Sequence, residues 1–119
     1  MQGIRGAITV ENDAKEEVLH AVQEMINTIL TENDITSEDV GAAIFSATDD
    51  IKSLFPAFAA RQLPGWDLVP LFDAQQLYIE NSIRKCIRVL LLVNTDKTQS
   101  QIRHVYLGRA AALRPDIKK

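Results

Sequence analysis

The chain has 119 residues, of which 46% are hydrophobic and 24% are charged, and its formal net charge is −3. These values are typical of an ordinary soluble globular protein that buries its core without disulfides or structural metal. The N-terminus lacks a secretory signal pattern, no apolar run approaches membrane-spanning length, and the single cysteine, Cys86, fits a reducing compartment. We therefore expect one cytoplasmic domain over residues 1–119, with no membrane partner.

The two halves of the chain differ in charge. Residues 1–50 have a net charge of −9, from 11 acids and two bases, whereas residues 51–119 have a net charge of +6, from five acids and 11 bases. The bases of the second half are mostly arginines, and they are well spread, without a dense run or interleaved aromatic residues. This pattern favours binding of a small anion over a nucleic-acid backbone, so no nucleic-acid partner is expected.

The first half predicts a strand, a long helix and a second strand. Residues 2–10 alternate loosely and predict the strand, and Asp13 followed by Glu16 is close to a capping box with Asp13 as the helix N-cap. Apolar residues spaced three and four apart continue the helix to about Glu32, with acids on its solvated face. Residues 40–48 predict the second strand.

A helix that begins at proline, an edge strand and a polar loop are predicted next. Phe55–Pro56 suits a helix start within residues 49–63, since proline fits the first turn of a helix. Residues 67–72 predict a third strand, which Pro70 places at a sheet edge or at a bulge. Residues 73–82 are polar and predict a loop that is long enough to suggest a function.

The last third of the chain contains the most apolar strand. Residues 87–94 predict a central strand, residues 95–104 predict a turn with a short helix, and residues 105–116 close the chain. The expected fold class is therefore α+β, with one long helix covering a mixed sheet.

The usual sets of catalytic residues are missing from the sequence. It contains no metal-ligand spacing, no glycine-rich phosphate loop and no recognisable triad, and His20 is expected on the helix surface. Cys86 is expected to be a small buried residue rather than a reactive one. An enzyme with this sequence would work without nucleophile, metal or cofactor, by holding and polarising its substrate.

Two arginines lie within apolar strands. Arg5 stands between Ile4 and Gly6, and Arg88 directly precedes an apolar run. Taken singly, each fits an exposed side chain whose stem covers apolar surface. Burial of a guanidinium is unfavourable unless an anion pairs with it, and no nearby carboxylate in the sequence is an obvious partner for Arg88. The two together favour a site for an anionic substrate, since guanidinium groups bind carboxylates through two parallel hydrogen bonds.

Four segments, in order along almost the whole chain, resemble the monofunctional AroH-class chorismate mutases. They are GIRGAITVENDA, FSATDDIKSLFPAFAAR, KCIRVLLLVNTD and IRHVYLGRAAALRPD. The resemblance implies the pericyclic rearrangement of chorismate to prephenate, on the route to phenylalanine and tyrosine, with no cofactor or metal. It also implies a homotrimer, with mixed sheets around a central barrel-like core and active sites at the subunit interfaces.

The same resemblance implies roles for the charged and polar residues. Arg88 is the main catalytic group, and its charge meets the negative charge that develops on the breaking ether oxygen. Arg5 binds a substrate carboxylate and the ether region, and Tyr106 donates a hydrogen bond to a carboxylate. Arg61 adds positive potential near the entrance.

The remaining residues implied by the resemblance line the substrate. Phe55 and Ala57 form an apolar wall contributed by the neighbouring subunit, and Leu113 binds the substrate. Arg114 acts from a C-terminal segment, residues 114–119, that is expected to be mobile.

One segment departs from the family pattern. After VP and two further residues the family has a cysteine or a small residue, and then a glutamate three positions on, which accepts a hydrogen bond from the substrate ring hydroxyl. Here VPLFDAQQ places Asp73 and Gln76 at these positions. Our hypothesis is that Asp73 accepts from the hydroxyl while Gln76 accepts through its amide oxygen, and that Asp73 also balances Arg88 in the empty site. The alternative is a loop that binds a modified substrate or supports slow turnover.

Two other functions remain open at this point. The small trimeric imine deaminases have a similar fold and bind a carboxylate with an interface arginine, but their arginine-bearing motif near the C-terminus is not evident here. A non-catalytic module that binds a dicarboxylate or a protein would not need both Arg5 and Arg88 within apolar strands together with Tyr106.

Overall fold

A five-stranded mixed sheet forms the framework of the protein. The computed structural model describes residues 1–113. The strands are β1 (Gln2–Thr9), β2 (Val40–Ala47), β3 (Leu71–Gln75), β4 (Cys86–Val93) and β5 (Val105–Tyr106), and they lie in the order β3-β2-β4-β1-β5. β4 pairs antiparallel with β1 and β2, whereas β3 runs parallel to β2 and β5 runs parallel to β1. The expected central strand is therefore β4.

Two helices pack on one face of this sheet, which we call the helix face. They are α1 (Lys15–Asn33) and α2 (Pro56–Arg61), and α2 begins at the predicted proline. The side of α1 toward the sheet is apolar, with buried residues Val18, Ala21, Val22, Met25, Ile26 and Ile29. Because these side chains meet the apolar residues of β1, β2 and β4, the core lies between α1 and the sheet. The predicted α+β class, with one long helix on a mixed sheet, is confirmed.

The start of α1 differs from the prediction. The N-cap is Ala14, which makes no side-chain cap, and the predicted cap with Asp13 is wrong. The Asp13 carboxylate instead accepts hydrogen bonds from the backbone N–H groups of Lys52 and Ser53, at 2.8 and 3.1 Å. A tertiary contact with the segment before α2 therefore replaces the local cap.

The third strand, predicted at residues 67–72, lies nearer the C-terminus, at Leu71–Gln75. Trp66 is buried, and the Val69 N–H donates back to the Trp66 carbonyl at 3.2 Å, so the chain turns before Pro70. β3 then begins after the proline and lies at the sheet edge, as Pro70 predicted. Asp73, which the sequence placed in a loop, therefore lies in a strand.

The second face of the sheet, which we call the open face, is left uncovered by both helices. Phe72, Ile44, Leu90 and Arg5 are cross-strand neighbours on this face, in one row from β3 to β1. The three apolar members of the row are 65%, 39% and 37% exposed. A short 3₁₀ segment, Gly108–Ala112, covers one corner of the open face. A membrane crossing would need a longer or more apolar helix than any that residues 1–113 contain.

Candidate active site

A cavity opens at the covered corner of the open face. Arg88, Ala7 and Tyr106 are neighbours in one row across β4, β1 and β5. Ala7, between the two long side chains, is fully buried and packs with Tyr106 and Ala110. The cavity has a volume of about 350 Å³ and is lined by Arg5, Gly6, Arg88, Val89, Tyr106 and Leu113. This is within the range of about 300–1,000 Å³ found for small-molecule sites.

The two predicted arginines both reach this cavity. Arg5 lies two residues before Ala7 on β1, so it is a diagonal neighbour of Arg88, at a backbone separation of about 7–8 Å. The Arg5 side chain is exposed, and its backbone N–H donates to Nδ1 of His104 at 2.9 Å. Two cations thus face one cavity, which is the arrangement that binds an anion carrying more than one negative charge.

The Arg88 guanidinium is partly withdrawn from solvent. Its Nε is buried and has no hydrogen-bond partner among residues 1–113, and none of the ion pairs in that part of the chain includes Arg88. Burial raises the pKa of the neighbouring Cys86 thiol, while the Arg88 charge and a hydrogen bond with the Arg88 side chain oppose that shift. Cys86 is fully buried, as expected from the sequence. The unpaired donor of Arg88 is therefore available to an anionic ligand.

A second group of predicted residues gathers at the end of β3. The Asp73 carboxylate accepts a hydrogen bond from the Ala57 N–H at 3.0 Å. Burial raises the pKa of Asp73, although the Ala57 N–H and the charge of Arg61 act in the opposite direction. Phe55 is 70% exposed and, with Asp73, lines a separate cavity of about 380 Å³. The guanidinium of Arg61 lies over the ring of Phe58, 5.6 Å from its centre.

Within one chain these two groups do not meet. Asp73 is in register with Phe45, a core residue of the helix face, whereas Arg88 projects from the open face two strands away. Neighbouring strands are about 4.8 Å apart, so about 10 Å of sheet separates the two backbones. Asp73 is therefore bound to Ala57 in the single chain and does not balance Arg88 there.

Gln76 lies on the other side of the sheet from Asp73. Its backbone N–H donates to the Ala47 carbonyl at 3.1 Å, which continues the β3 ladder by one residue. Alternation along the strand then places its side chain with that of Ala74, on the open face that also carries Arg88. The side-chain oxygen of Gln76 is buried and has no partner within residues 1–113. Asp73 and Gln76, the two positions that depart from the family pattern, thus lie on opposite faces of the sheet.

The predicted residues at the end of the chain are only partly placed. Leu113 is half-buried and lines the cavity with Arg88. Arg114 and the rest of the predicted C-terminal segment, residues 114–119, lie outside the described residues.

The sequence did not identify the polar residues that hydrogen-bond to the backbone next to the site residues. His104 binds the backbone of Arg5, and Thr48 and Asp50 bind the backbone that leads into β4. Threonine and aspartate after a strand often bond to nearby backbone groups, and that signal was present. The partner of Asp50 is Lys85, 35 residues away, and the partner of Thr48 is Cys86, 38 residues away, so no local pattern identified either contact.

Comparison with known proteins places the chain in a family. The family model for chorismate mutase type I matches residues 1–117. The chain belongs to this family. Chorismate mutase AroH of Bacillus subtilis (strain 168) is 45% identical over 117 residues, which cover 98% of this chain and 92% of that protein. Chorismate mutase AroH of Thermus thermophilus is 47% identical over 119 residues, which cover 99% and 97%.

A solved structure agrees with this assignment. A chorismate mutase from Clostridium thermocellum matches with a TM-score of 0.91 at 36% identity, over 94% of this chain and 99% of that one. The expected AroH-class family is therefore confirmed, and with it the expected kind of enzyme, a chorismate mutase and hence an isomerase. Neither the imine deaminase nor the non-catalytic binding module is supported.

Proposed function

We propose that this chorismate mutase converts chorismate to prephenate in the synthesis of phenylalanine and tyrosine. The observation that carries the proposal is the partly buried Arg88, whose Nε has no hydrogen-bond partner in the described part of the chain, beside a cavity that Arg5 and Tyr106 also line. None of the six residues that line the cavity carries a carboxylate. Such a cavity suits a dianion such as chorismate.

The reaction needs no bond to the protein. One C–O bond of the substrate breaks as one C–C bond forms, and all electrons stay within the substrate. The Arg88 guanidinium meets the negative charge that grows on the ether oxygen, and its donors are fixed before the reaction begins. One preorganised donor of this kind contributes about 10²–10³ in rate. The cavity walls hold the folded conformer in which the two carbon atoms can join.

The other residues divide between charge and shape. Arg5 binds a carboxylate and the ether region, and Tyr106 donates to a carboxylate. Arg61 raises the positive potential near the entrance, and Arg114 binds the substrate. The apolar side of the substrate is held by three residues, Phe55, Ala57 and Leu113.

We further propose that the enzyme is a homotrimer with composite sites. Two features support this assembly: an exposed apolar row on the open face, Phe72, Ile44 and Leu90, and the separation of the two groups of site residues within one chain. A neighbouring copy would bring its Phe55 and Asp73 to the cavity that contains Arg88. The trimer would thereby bury the row and complete the site.

Asp73 and Gln76 carry the hydroxyl-binding role in this proposal. Asp73 accepts from the substrate ring hydroxyl across the interface, and Gln76 accepts through its side-chain oxygen, which has no partner among residues 1–113. Asp73→Asn should therefore lower kcat, and Gln76→Glu should retain activity. Unchanged turnover of Asp73→Asn would remove Asp73 from this role.

The proposed compartment is the cytoplasm. Cys86 is a free, buried thiol, and a fold that retains such a thiol without a partner suits a reducing environment.

The direct test of the proposed function is turnover of chorismate by the purified protein. Loss of chorismate ultraviolet absorbance measures the rate, and conversion of the product to phenylpyruvate in acid identifies prephenate. Enzymatic turnover that yields prephenate is the expected result. A folded protein that binds chorismate without converting it would overturn the proposal.

A further inference from the structure

The catalytic arginine depends on its backbone for its position. Arg88 is the third residue of β4, and its Nε has no hydrogen-bond partner within residues 1–113. No carboxylate in that part of the chain forms an ion pair with it. The Arg88 side chain does hydrogen-bond with that of Cys86, which is the first residue of β4. The place of the guanidinium is therefore set largely by where β4 begins and how the strand is oriented.

The residue before β4 has an unusual conformation that several contacts hold. Lys85 has a φ of 51°, in the left-handed region that is unfavourable for a residue with a Cβ atom. Its N–H lies 3.1 Å from each carboxylate oxygen of Asp50. Its carbonyl accepts from the Val10 N–H at 2.9 Å, and its Nζ donates to the Glu11 carbonyl at 3.1 Å. The direction in which the chain enters β4 is thus fixed by these bonds.

A buried hydroxyl extends this contact to the first residue of the strand. Thr48 is 4% exposed, and its Oγ1 accepts from the Cys86 N–H at 3.0 Å while donating to Asp50. The Thr48 N–H also donates to the Cys86 carbonyl at 3.0 Å. The hydroxyl thus takes the place of a strand carbonyl at the end of the β2–β4 ladder, and Asp50 fixes its orientation.

The electrostatics of Asp50 suit this role. Burial alone would raise the pKa of Asp50, but the Thr48 hydroxyl, the Lys85 N–H and the charge of Arg84 together lower it. The carboxylate is therefore ionised at neutral pH and accepts from both donors at once. Neighbouring Asp49 pairs with Arg84, and within residues 1–113 it forms no hydrogen bond or ion pair with Thr48 or Lys85, so it provides a matched control.

We propose that Asp50 and Thr48 are positioning residues for Arg88: the carboxylate holds Lys85 directly and Cys86 through the hydroxyl, and so fixes the guanidinium in the cavity. Neither residue touches the reacting atoms. The inference rests on the proposed function, in which Arg88 meets the ether oxygen.

The test compares variants that keep or remove the hydroxyl and the carboxylate. Thr48→Val keeps the shape and loses the hydroxyl, Thr48→Ser keeps the hydroxyl, and Asp50→Asn removes the charge. Each is assayed for kcat and KM with chorismate at a temperature where circular dichroism shows it to be folded. We expect kcat to fall about tenfold or more in Thr48→Val and Asp50→Asn, because a shift of about 1 Å in a catalytic group costs up to about 100-fold. We expect Thr48→Ser and the control Asp49→Asn to stay within about threefold of wild type.

A purely structural role predicts a different result. It would lower the melting temperature of Thr48→Val and Asp50→Asn while the folded enzymes kept the wild-type kcat, and that outcome would overturn the inference. If the wild-type chain does not turn over chorismate, the proposed function fails and the positioning is tested by NMR of the Arg88 Nε–H. Faster solvent exchange of this proton in Thr48→Val, but not in Thr48→Ser, would support the positioning, and equal exchange in both would refute it.

Discussion

Replacement of Arg88 by lysine separates charge from geometry at the centre of the site. Lysine keeps the positive charge, but its ammonium reaches only to the position of the arginine Cζ, about 1.3 Å short of the terminal nitrogens. It also lacks a donor at the position of Nε, which is buried and has no hydrogen-bond partner among the residues that the structure describes. A point charge does not replace a planar group with donors in fixed directions.

The expected loss follows from these two changes. Removal of one preorganised donor costs about 10²–10³ in kcat, or about 2.7–4 kcal/mol. We therefore expect Arg88→Lys to lower kcat by at least about 100-fold. KM should rise less, since the charge that attracts the dianion is retained.

The measurement is steady-state turnover of chorismate by Arg88→Lys and by a control, Arg103→Lys. Arg103 is exposed and lies outside the residues that line the cavity, so its replacement should leave turnover unchanged. Thermal unfolding of both variants checks that they are folded. Near-normal kcat for Arg88→Lys would refute the assignment of Arg88 as the group that stabilises the ether oxygen.

Three further predictions concern packing, assembly and acid stability. Gly6→Ala should lower the free energy of unfolding in urea by about 1–3 kcal/mol, because the new Cβ would lie 2.7 Å from a side-chain carbon of α1. In the control Gly41→Ala the new Cβ has its nearest contact at 3.5 Å, so this variant should be tolerated. Equal stabilities of the two variants would contradict the prediction. Leu90→Asp should lower the mass measured by light scattering from that of a trimer to that of a monomer. The control Leu68→Asp changes a residue that is 89% exposed and lies off the open face, so it should leave the mass unchanged. A trimer in both variants would exclude the open face as the interface. Burial would raise the pKa of Asp13, but hydrogen bonds from Ser53 and from the backbone outweigh it and lower the pKa below 3.8. As pH falls, the unfolded chain therefore binds the proton before the folded chain does. The stability that Asp13 contributes is thus present above pH 3.8 and is lost as pH falls through the lower pKa of the folded state. Asp13→Asn should weaken the dependence of urea unfolding on acid pH, and an unchanged dependence would contradict this.

The sequence predicted the parts of the fold that depend on short-range pattern. The helix stripe of α1, the proline that starts α2 and the apolar run of β4 each carry their own signal. The cap at Asp13 and the bounds of β3 were wrong because tertiary contacts decided both. Asp13 binds backbone groups 39 and 40 residues away. The chain turns between the buried Trp66 and Val69, where the sequence predicted a strand.

The site shows the same division. The sequence identified Arg5 and Arg88 as candidate site residues, because burial of a guanidinium within an apolar strand is unfavourable unless an anion pairs with it. The row that places Ala7 between Arg88 and Tyr106 depends on the register of three strands, which no local pattern contains. The separation of Asp73 from Arg88 depends on which face of the sheet each one occupies, and the sequence had assigned Asp73 to a loop.

The central claim, that chorismate is rearranged in a site built from two copies, is tested most directly by mixing two inactive variants. Arg88→Ala removes the catalytic charge, and Phe55→Asp places a negative charge on the exposed wall that faces the dianion. After subunits exchange in an equal mixture, about one quarter of the interfaces combine an intact Arg88 with an intact Phe55. We predict that about one quarter of wild-type turnover returns. Exchange without any recovery of turnover, shown by mass spectrometry of mixed trimers, would contradict the composite site.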